Sequence, residues 1–145
     1  MLSKSTEYAI RALVYIQLKN SADIRPGVSE IAREIEAPVA YSAKILQTLT
    51  KKGLLDSMKG RGGGFFFRNK QSDLTLYDVI HVMEGKTDFD KCVFGLKSCD
   101  CDYPCPLHEK YTTIRDGYQK IVKTETIQSL TDKIMDGSAV LNQSM

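Results

Sequence analysis

The stretch that decides the fold is VAYSAKILQTLTKKGLLDSMKGRGGGFFFR, residues 39–68. Its first part carries apolar residues at helical spacing and ends at Gly53, which predicts a helix over 39–52. Two short runs typical of strands follow, and a basic, glycine-rich segment at 59–64 separates them. A helix followed by a hairpin with a basic tip predicts a recognition helix and its wing.

Two further helices are predicted ahead of this stretch. Apolar residues recur with helical period over 5–19, where Ser5 or Thr6 is expected to cap the helix. A shorter pattern spans 29–35, with Ser29 as the expected cap, and ends before a proline because the residue preceding proline avoids the α region. Two short helices joined by a tight turn and preceded by a third are typical of a helix-turn-helix.

Downstream of the wing, whose strands are predicted at 54–58 and 65–68, Thr75 is expected to cap a helix that ends before Gly85. The next segment has no periodic pattern. A long helical pattern then covers 109–136, and its apolar stripe changes register near the middle of the segment. A stripe this long predicts a dimerisation helix. The alternative is a helix that folds back on its own domain.

The predicted fold class is therefore mainly α with a small β-wing: a winged helix-turn-helix plus a long C-terminal dimerisation helix. The chain divides into a DNA-binding domain at 1–85, a cysteine-rich loop at 86–108, the dimerisation helix at 109–136 and a disordered tail at 137–145.

Composition and charge are those of a soluble globular domain. The chain is 42% hydrophobic and 26% charged, and it contains neither a run that could span a membrane nor a secretory signal, so we expect a cytoplasmic protein. Residues 1–70 hold twelve Lys/Arg against six Asp/Glu, whereas residues 71–145 hold eight against twelve. A basic front half suits a phosphate backbone.

The expected DNA contacts lie on the outward face of the recognition helix and at the wing tip. Side chains near the helix start are expected to meet base edges, and cations further along are expected to meet phosphates. The wing tip is expected to enter the minor groove. The candidate DNA-binding residues are Tyr41, Ser42, Lys44, Gln47, Lys51, Lys59 and Arg61.

All four cysteines fall within one 14-residue stretch, at Cys92, Cys99, Cys101 and Cys105, and His108 follows closely. In a cytoplasmic protein, thiols this crowded indicate a metal or redox site more than a disulfide framework. An iron–sulfur cluster is the favoured occupant because a loop without regular structure can wrap it with thiolates. Zinc is an alternative, although the two Cys-x2–4-Cys pairs typical of a structural zinc site are not both present, since Cys101 and Cys105 form the one such spacing. Reversible thiol oxidation without a metal is another.

The sequence resembles the IscR/NsrR/RirA-type family of bacterial winged-helix iron–sulfur regulators over nearly its whole length. Besides the cysteine loop, the resemblance rests on TEYAIRAL at 6–13, IA at 31–32, LTKKGL at 49–54 and GRGGGF at 60–65. It implies a homodimer on a palindromic operator in double-stranded DNA. It departs at Ala43 and Lys44, where IscR carries glutamate and glutamine, so the operator is not carried over.

The same resemblance implies that Cys92, Cys99 and Cys105 ligate the cluster, of two or four irons. The fourth ligand stays open. His108 matches the position of the IscR histidine, Glu7 matches the NsrR carboxylate that reaches across the dimer, and Cys101 is an additional thiol.

The sequence thus predicts a regulator, expected to be a repressor, whose DNA affinity follows redox, nitric oxide or iron–sulfur status. An enzyme is disfavoured: Cys105 and His108 have no acidic partner at clear spacing to orient them, and the glycine run leads into a strand, unlike a nucleotide-binding loop. A winged helix that acts mainly through a protein partner is a further alternative.

Overall fold

The computed structural model describes residues 2–68, 74–85 and 91–144. Within them lie six helices and one two-stranded antiparallel sheet. In chain order the elements are α1 (Lys4–Asn20), α2 (Val28–Glu34), α3 (Val39–Lys51), β1 (Asp56–Met58), β2 (Gly64–Phe66), α4 (Leu76–Glu84), α5 (His108–Thr124) and α6 (Ile127–Met135).

The core is organised around α1, which packs against α2, α3, α4, α6 and β2. Its alanines Ala9 and Ala12 are fully buried and let neighbouring helices approach closely, while Leu13 and Ile16 fill the centre. From α3, Leu46 and Leu49 complete the same cluster, so the predicted helix-turn-helix is built on α1.

Two of the expected helix caps were wrong. Ser3 caps α1, accepting the Thr6 backbone N–H at 3.2 Å, whereas Ser5 and Thr6 lie inside the helix. Gly27 precedes α2 and Ser29 is its second residue, so Ser29 cannot cap it. The prediction for α4 was right, because Thr75 and Asp78 form a reciprocal capping box and Gly85 ends the helix.

The wing is a short hairpin anchored on the loop between α1 and α2. Ser57 faces Phe65 in the register, and only residues 56–58 and 64–66 pair, so the strands are shorter than the predicted runs. The Phe65 N–H donates to the Pro26 carbonyl at 2.9 Å. A Cβ on Gly64, whose φ is +141°, would lie 2.2 Å from the Arg25 carbonyl oxygen, so this close approach requires glycine.

The single helix predicted over 109–136 is two helices. The chain is extended at Glu125, and Thr126 caps α6 through a capping box with Ser129. The physical reason is pairing with the segment before α4: the Leu76 N–H donates to the Glu125 carbonyl at 3.0 Å, and the Ile127 N–H donates to the Leu74 carbonyl at 2.8 Å. The α6 helix then folds back on α1, as the alternative interpretation expected.

The tail expected to be disordered contacts the domain as far as residue 144. Leu141 packs against the core cluster. The Asn142 side-chain amide donates to the Glu34 carbonyl at 2.9 Å, and the hydroxyl of Ser144 donates to the Glu36 carboxylate at 3.0 Å.

Candidate DNA interface and cysteine site

The outward face of α3 is basic and polar. Lys44, Gln47 and Lys51 are exposed at intervals of three and four, which places them on one side of the helix. With Ser57 of β1 they line a groove of about 530 Å³ between α3 and the wing. No acidic residue lies in α3, so nothing on this helix repels a phosphate.

Two of the predicted DNA-binding residues have structural positions instead. Ser42 is 1% exposed, and its hydroxyl donates to the Pro38 carbonyl at 2.9 Å, so it cannot reach a base edge. Tyr41 is half-buried, with its ring edge-on to Tyr8 at 5.7 Å and its hydroxyl 2.5 Å from that of Ser5. Ser42 precedes Ile45 by three positions on the buried stripe, a signal that was present in the sequence.

The wing tip presents the two expected cations to solvent. Lys59 and Arg61 are both exposed, and they lie between β1 and β2. At the base of the wing, the Arg25 guanidinium stacks over the Phe66 ring at 4.0 Å and donates to the Met58 sulfur at 3.4 Å. These contacts join the hairpin to the loop between α1 and α2.

The described part of the cysteine loop, 91–107, has neither helix nor strand. Cys92 is 5% exposed. Burial raises the pKa of the Cys92 thiol, but hydrogen bonds from the backbone N–H groups of Leu96, Phe94 and Gly95 and from the Cys105 thiol outweigh it, so the pKa is lowered overall. The thiolate is the form of cysteine that binds metals.

The other thiols divide between a pair and a solvent-exposed position. The sulfur of Cys99 lies 3.5 Å from Nδ1 of His108, the first residue of α5. Cys101 is exposed, whereas Cys99 and Cys105 are half-buried. Among residues 2–68, 74–85 and 91–144, no three Cys, His, Asp or Glu side chains gather tightly enough to hold a metal ion.

The side chains of the cysteine loop are of the types that bind an iron–sulfur cluster or zinc. The Cys92–Cys105 and Cys99–His108 pairs supply three thiols and one imidazole from a single loop and the helix start that follows it. Glu7, the alternative carboxylate, is exposed on the first turn of α1 and pairs with Lys4 at 3.5 Å.

The α5 helix has an inner face and an apolar outer face. Val122 is buried and Tyr118 is half-buried, whereas Ile114 is 63% exposed and Ile121 is 55% exposed. Seven residues separate these two isoleucines, which therefore share one side of the helix. This side of α5 retains the stripe that predicted dimerisation.

A polar contact that no sequence pattern predicts joins α4 to the start of α1. The Glu84 carboxylate accepts the Ser3 backbone N–H at 2.8 Å and the Thr6 hydroxyl at 3.0 Å. No periodic or motif signal marks Glu84, because its partners lie about 80 positions away in the chain. The same helix carries the exposed His81, which stacks on Tyr77 as a surface residue.

No helix in the described segments combines the length and the apolar character that a membrane crossing needs.

Comparison with known proteins identifies the family. The family described as "Rrf2: Iron-dependent Transcriptional regulator" matches residues 2–133. A putative HTH-type transcriptional regulator of Aquifex aeolicus is 29% identical over 132 residues, 90% of each chain. The HTH-type transcriptional repressor NsrR of Streptomyces coelicolor is 26% identical over 106 residues, 73% of this chain and 67% of that one.

Solved structures share the fold. CymR, the global cysteine regulator of B. subtilis, superposes with a TM-score of 0.73 at 21% identity, over 91% of this chain and 96% of that one. The IscR of T. potens superposes with a TM-score of 0.70 at 17% identity, over 99% and 93%. The relatives are transcriptional regulators and not enzymes. The chain belongs to the Rrf2 family of DNA-binding transcriptional regulators.

Proposed function

We propose that this protein is a homodimeric, sequence-specific repressor whose DNA affinity is controlled by an iron–sulfur cluster on the cysteine loop. The observation that carries the proposal is the environment of Cys92. Its thiol is buried and its pKa is lowered, in a loop that leads directly into α5, where the His108 ring lies 3.5 Å from the sulfur of Cys99. A lowered pKa favours the thiolate, which is the form of cysteine that binds metals.

Cys92, Cys99 and Cys105 are the proposed thiolate ligands, with His108 as the fourth. The Cys99–His108 distance of 3.5 Å supports that choice, since ligands of one centre must lie together. When bound, the cluster would supply a centre sensitive to redox state, nitric oxide and iron supply. Residues 91–107 have no regular hydrogen-bonded structure, so ligation would determine their order and, through His108, the position of α5.

The proposed reading surface combines two described elements. Lys44 and Gln47 lie on the outward face of α3, where a helix in the major groove reads base edges. Lys51 at the end of α3 and Lys59 and Arg61 at the wing tip would neutralise phosphates or enter the minor groove. Dimerisation through the α5 side that carries Ile114 and Ile121 would present two such surfaces to a palindrome.

The direct test is anaerobic purification followed by an absorption spectrum and analysis of iron, sulfide and zinc. We expect a coloured protein with iron and sulfide in near-equal amounts, and loss of both in Cys92→Ala with an unchanged far-ultraviolet circular dichroism spectrum. Cys101→Ala is the matched control and keeps the colour, because Cys101 is exposed and outside both pairs. A colourless native protein with stoichiometric zinc would overturn the cluster proposal.

A second candidate is a thiol sensor without a metal. Cys105 contributes to the lowered pKa of Cys92, and a lowered pKa favours the thiolate with which a disulfide switch begins. A metal-free native protein in which mild oxidation links Cys92 to Cys105, identified by peptide mass, would favour this candidate.

A further inference from the structure

The carboxylate of Glu84 joins the last turn of α4 to the first turn of α1. One oxygen accepts both the Ser3 backbone N–H at 2.8 Å and the hydroxyl of Thr6 at 3.0 Å. Thr6 is fully buried, and its hydroxyl also lies 2.9 Å from that of Ser3. Burial raises the pKa of Glu84, but these hydrogen bonds from Ser3 and Thr6 outweigh it and lower the pKa overall. The ionised carboxylate is therefore the form that holds α1.

The first turns of α1 in turn hold the start of α3. The hydroxyls of Ser5 and Tyr41 lie 2.5 Å apart, and Tyr8 packs edge-on against the Tyr41 ring. Lys44 follows Tyr41 by one helical turn on α3. A displacement of the α1 start would therefore act on Tyr41 and, one turn further, on Lys44 of the proposed DNA interface.

The two helices that flank the cysteine loop both have a residue near this carboxylate. Upstream, Glu84 is the last residue of α4, and Gly85 follows it. Downstream, α5 begins at His108 and carries Tyr118. Burial raises the pKa of Tyr118, and the nearby negative charge of Glu84 raises it further. Because α4 packs against α5, a shift of α5 relative to α4 would act on Glu84.

We infer that Glu84 is a positioning residue for the recognition helix, which transmits the state of the cysteine loop through the start of α1 to Tyr41 of α3. The transmission of a cluster signal rests on the proposed function. The mechanical link from Glu84 to α3 does not, because all of its contacts are within the polypeptide.

Hydrogen–deuterium exchange on the full-length, metal-free protein tests the link. In Glu84→Ala we expect amides of residues 3–8 and of 39–49 to exchange about tenfold faster, although Glu84 contacts only the first of these segments. Thr6→Val keeps the buried volume without the donor and should have the same effect, whereas Thr6→Ser should restore slow exchange. Glu30→Ala, which removes a different carboxylate contact with α1 at Tyr15, is the control.

Unchanged exchange over 39–49 in both Glu84→Ala and Thr6→Val would overturn the inference, as would equal acceleration in the Glu30→Ala control. If Glu84→Ala fails to fold, the comparison of Thr6→Val with Thr6→Ser decides whether this hydrogen bond controls exchange over 39–49.

A second comparison adds the cluster. In the native protein, anaerobic cluster removal should change exchange over both 91–108 and 39–49. In Glu84→Ala, cluster removal should still change the exchange rates over 91–108. The change over 39–49 should be at least fivefold smaller than in the native protein. A persistent response over 39–49 in that variant would refute transmission through Glu84. A native protein that binds no cluster would instead refute the proposed function, and the metal-free exchange rates would then decide whether the mechanical link exists.

Discussion

Replacing Gly64 by alanine should uncouple the wing from the helical domain. The new Cβ would lie 2.2 Å from the Arg25 carbonyl oxygen and 2.7 Å from that of Pro26, both of them backbone atoms that cannot rotate away. The base of the wing must therefore retreat by at least about 1.2 Å to reach ordinary contact distance. This retreat breaks the 2.9 Å hydrogen bond from the Phe65 N–H to Pro26.

The expected loss of stability follows from these terms. A non-glycine residue at positive φ costs about 1–2 kcal/mol, and losing a backbone hydrogen bond costs about 1 kcal/mol, so Gly64→Ala should lower the free energy of unfolding by about 2–3 kcal/mol. Because the displaced wing carries Arg61, we also expect DNA binding to weaken at least tenfold, equivalent to about 1.4 kcal/mol.

The matched control is Gly137→Ala. Gly137 also has a positive φ, of +85°, but an added Cβ there would meet no atom within 4 Å, and the residue follows α6, outside the proposed DNA interface. It should lose only the conformational part of the stability, about 1–2 kcal/mol, and retain DNA affinity. Urea unfolding and fluorescence anisotropy with a duplex selected from a random pool measure both effects. Equal behaviour of the two variants in both assays would refute the reasoning about the wing.

Three further predictions address the DNA face, the α5 surface and the α1–α2 contact. Lys51→Ala should weaken binding to all duplexes alike. It should also make the plot of log affinity against log salt concentration less steep by about 2, because a dimer loses two phosphate contacts. An unchanged slope would show that Lys51 does not contact a phosphate. Ile114→Asp should convert a dimer to monomers in light scattering, whereas Met135→Asp on α6 should not, although Met135 is 58% exposed. Burial and the hydrogen bond to Glu30 raise the pKa of Tyr15 in the folded protein above its ordinary value of 10.0. Tyr15 therefore contributes its full stabilisation below pH 10, and this contribution is lost as the pH rises through the higher folded pKa. Tyr15→Phe should therefore show a smaller loss of stability between pH 9 and 11 than the native protein in urea unfolding, and parallel curves would contradict this.

Local signals in the sequence were sufficient where one element determines its own ends. The glycine after α3, the capping box of Thr75 and Asp78, and the basic glycine-rich tip between two strands all depend on residues a few positions apart. Each was interpreted correctly, and the fold class followed from them.

Contacts between distant segments explain what the sequence did not reveal. The helical pattern over 109–136 is continuous enough to predict one helix, but pairing of Glu125 and Ile127 with residues beside α4 breaks it. Glu84 likewise acquires its role from Ser3 and Thr6 at the other end of the domain. Ser42 is the exception. Its position on the buried stripe of α3 could be recognised from the sequence, but it was predicted to contact DNA because its side chain is polar.

The most direct test of the account compares the DNA affinity of one anaerobic preparation before and after removal of its cluster, on the same selected duplex and at fixed salt. We predict at least a fivefold difference between the two states, as expected for coupled sites, and no difference when Cys92→Ala is treated in the same way. Equal affinity of the loaded and stripped native protein would contradict the claim that the cysteine loop controls DNA binding.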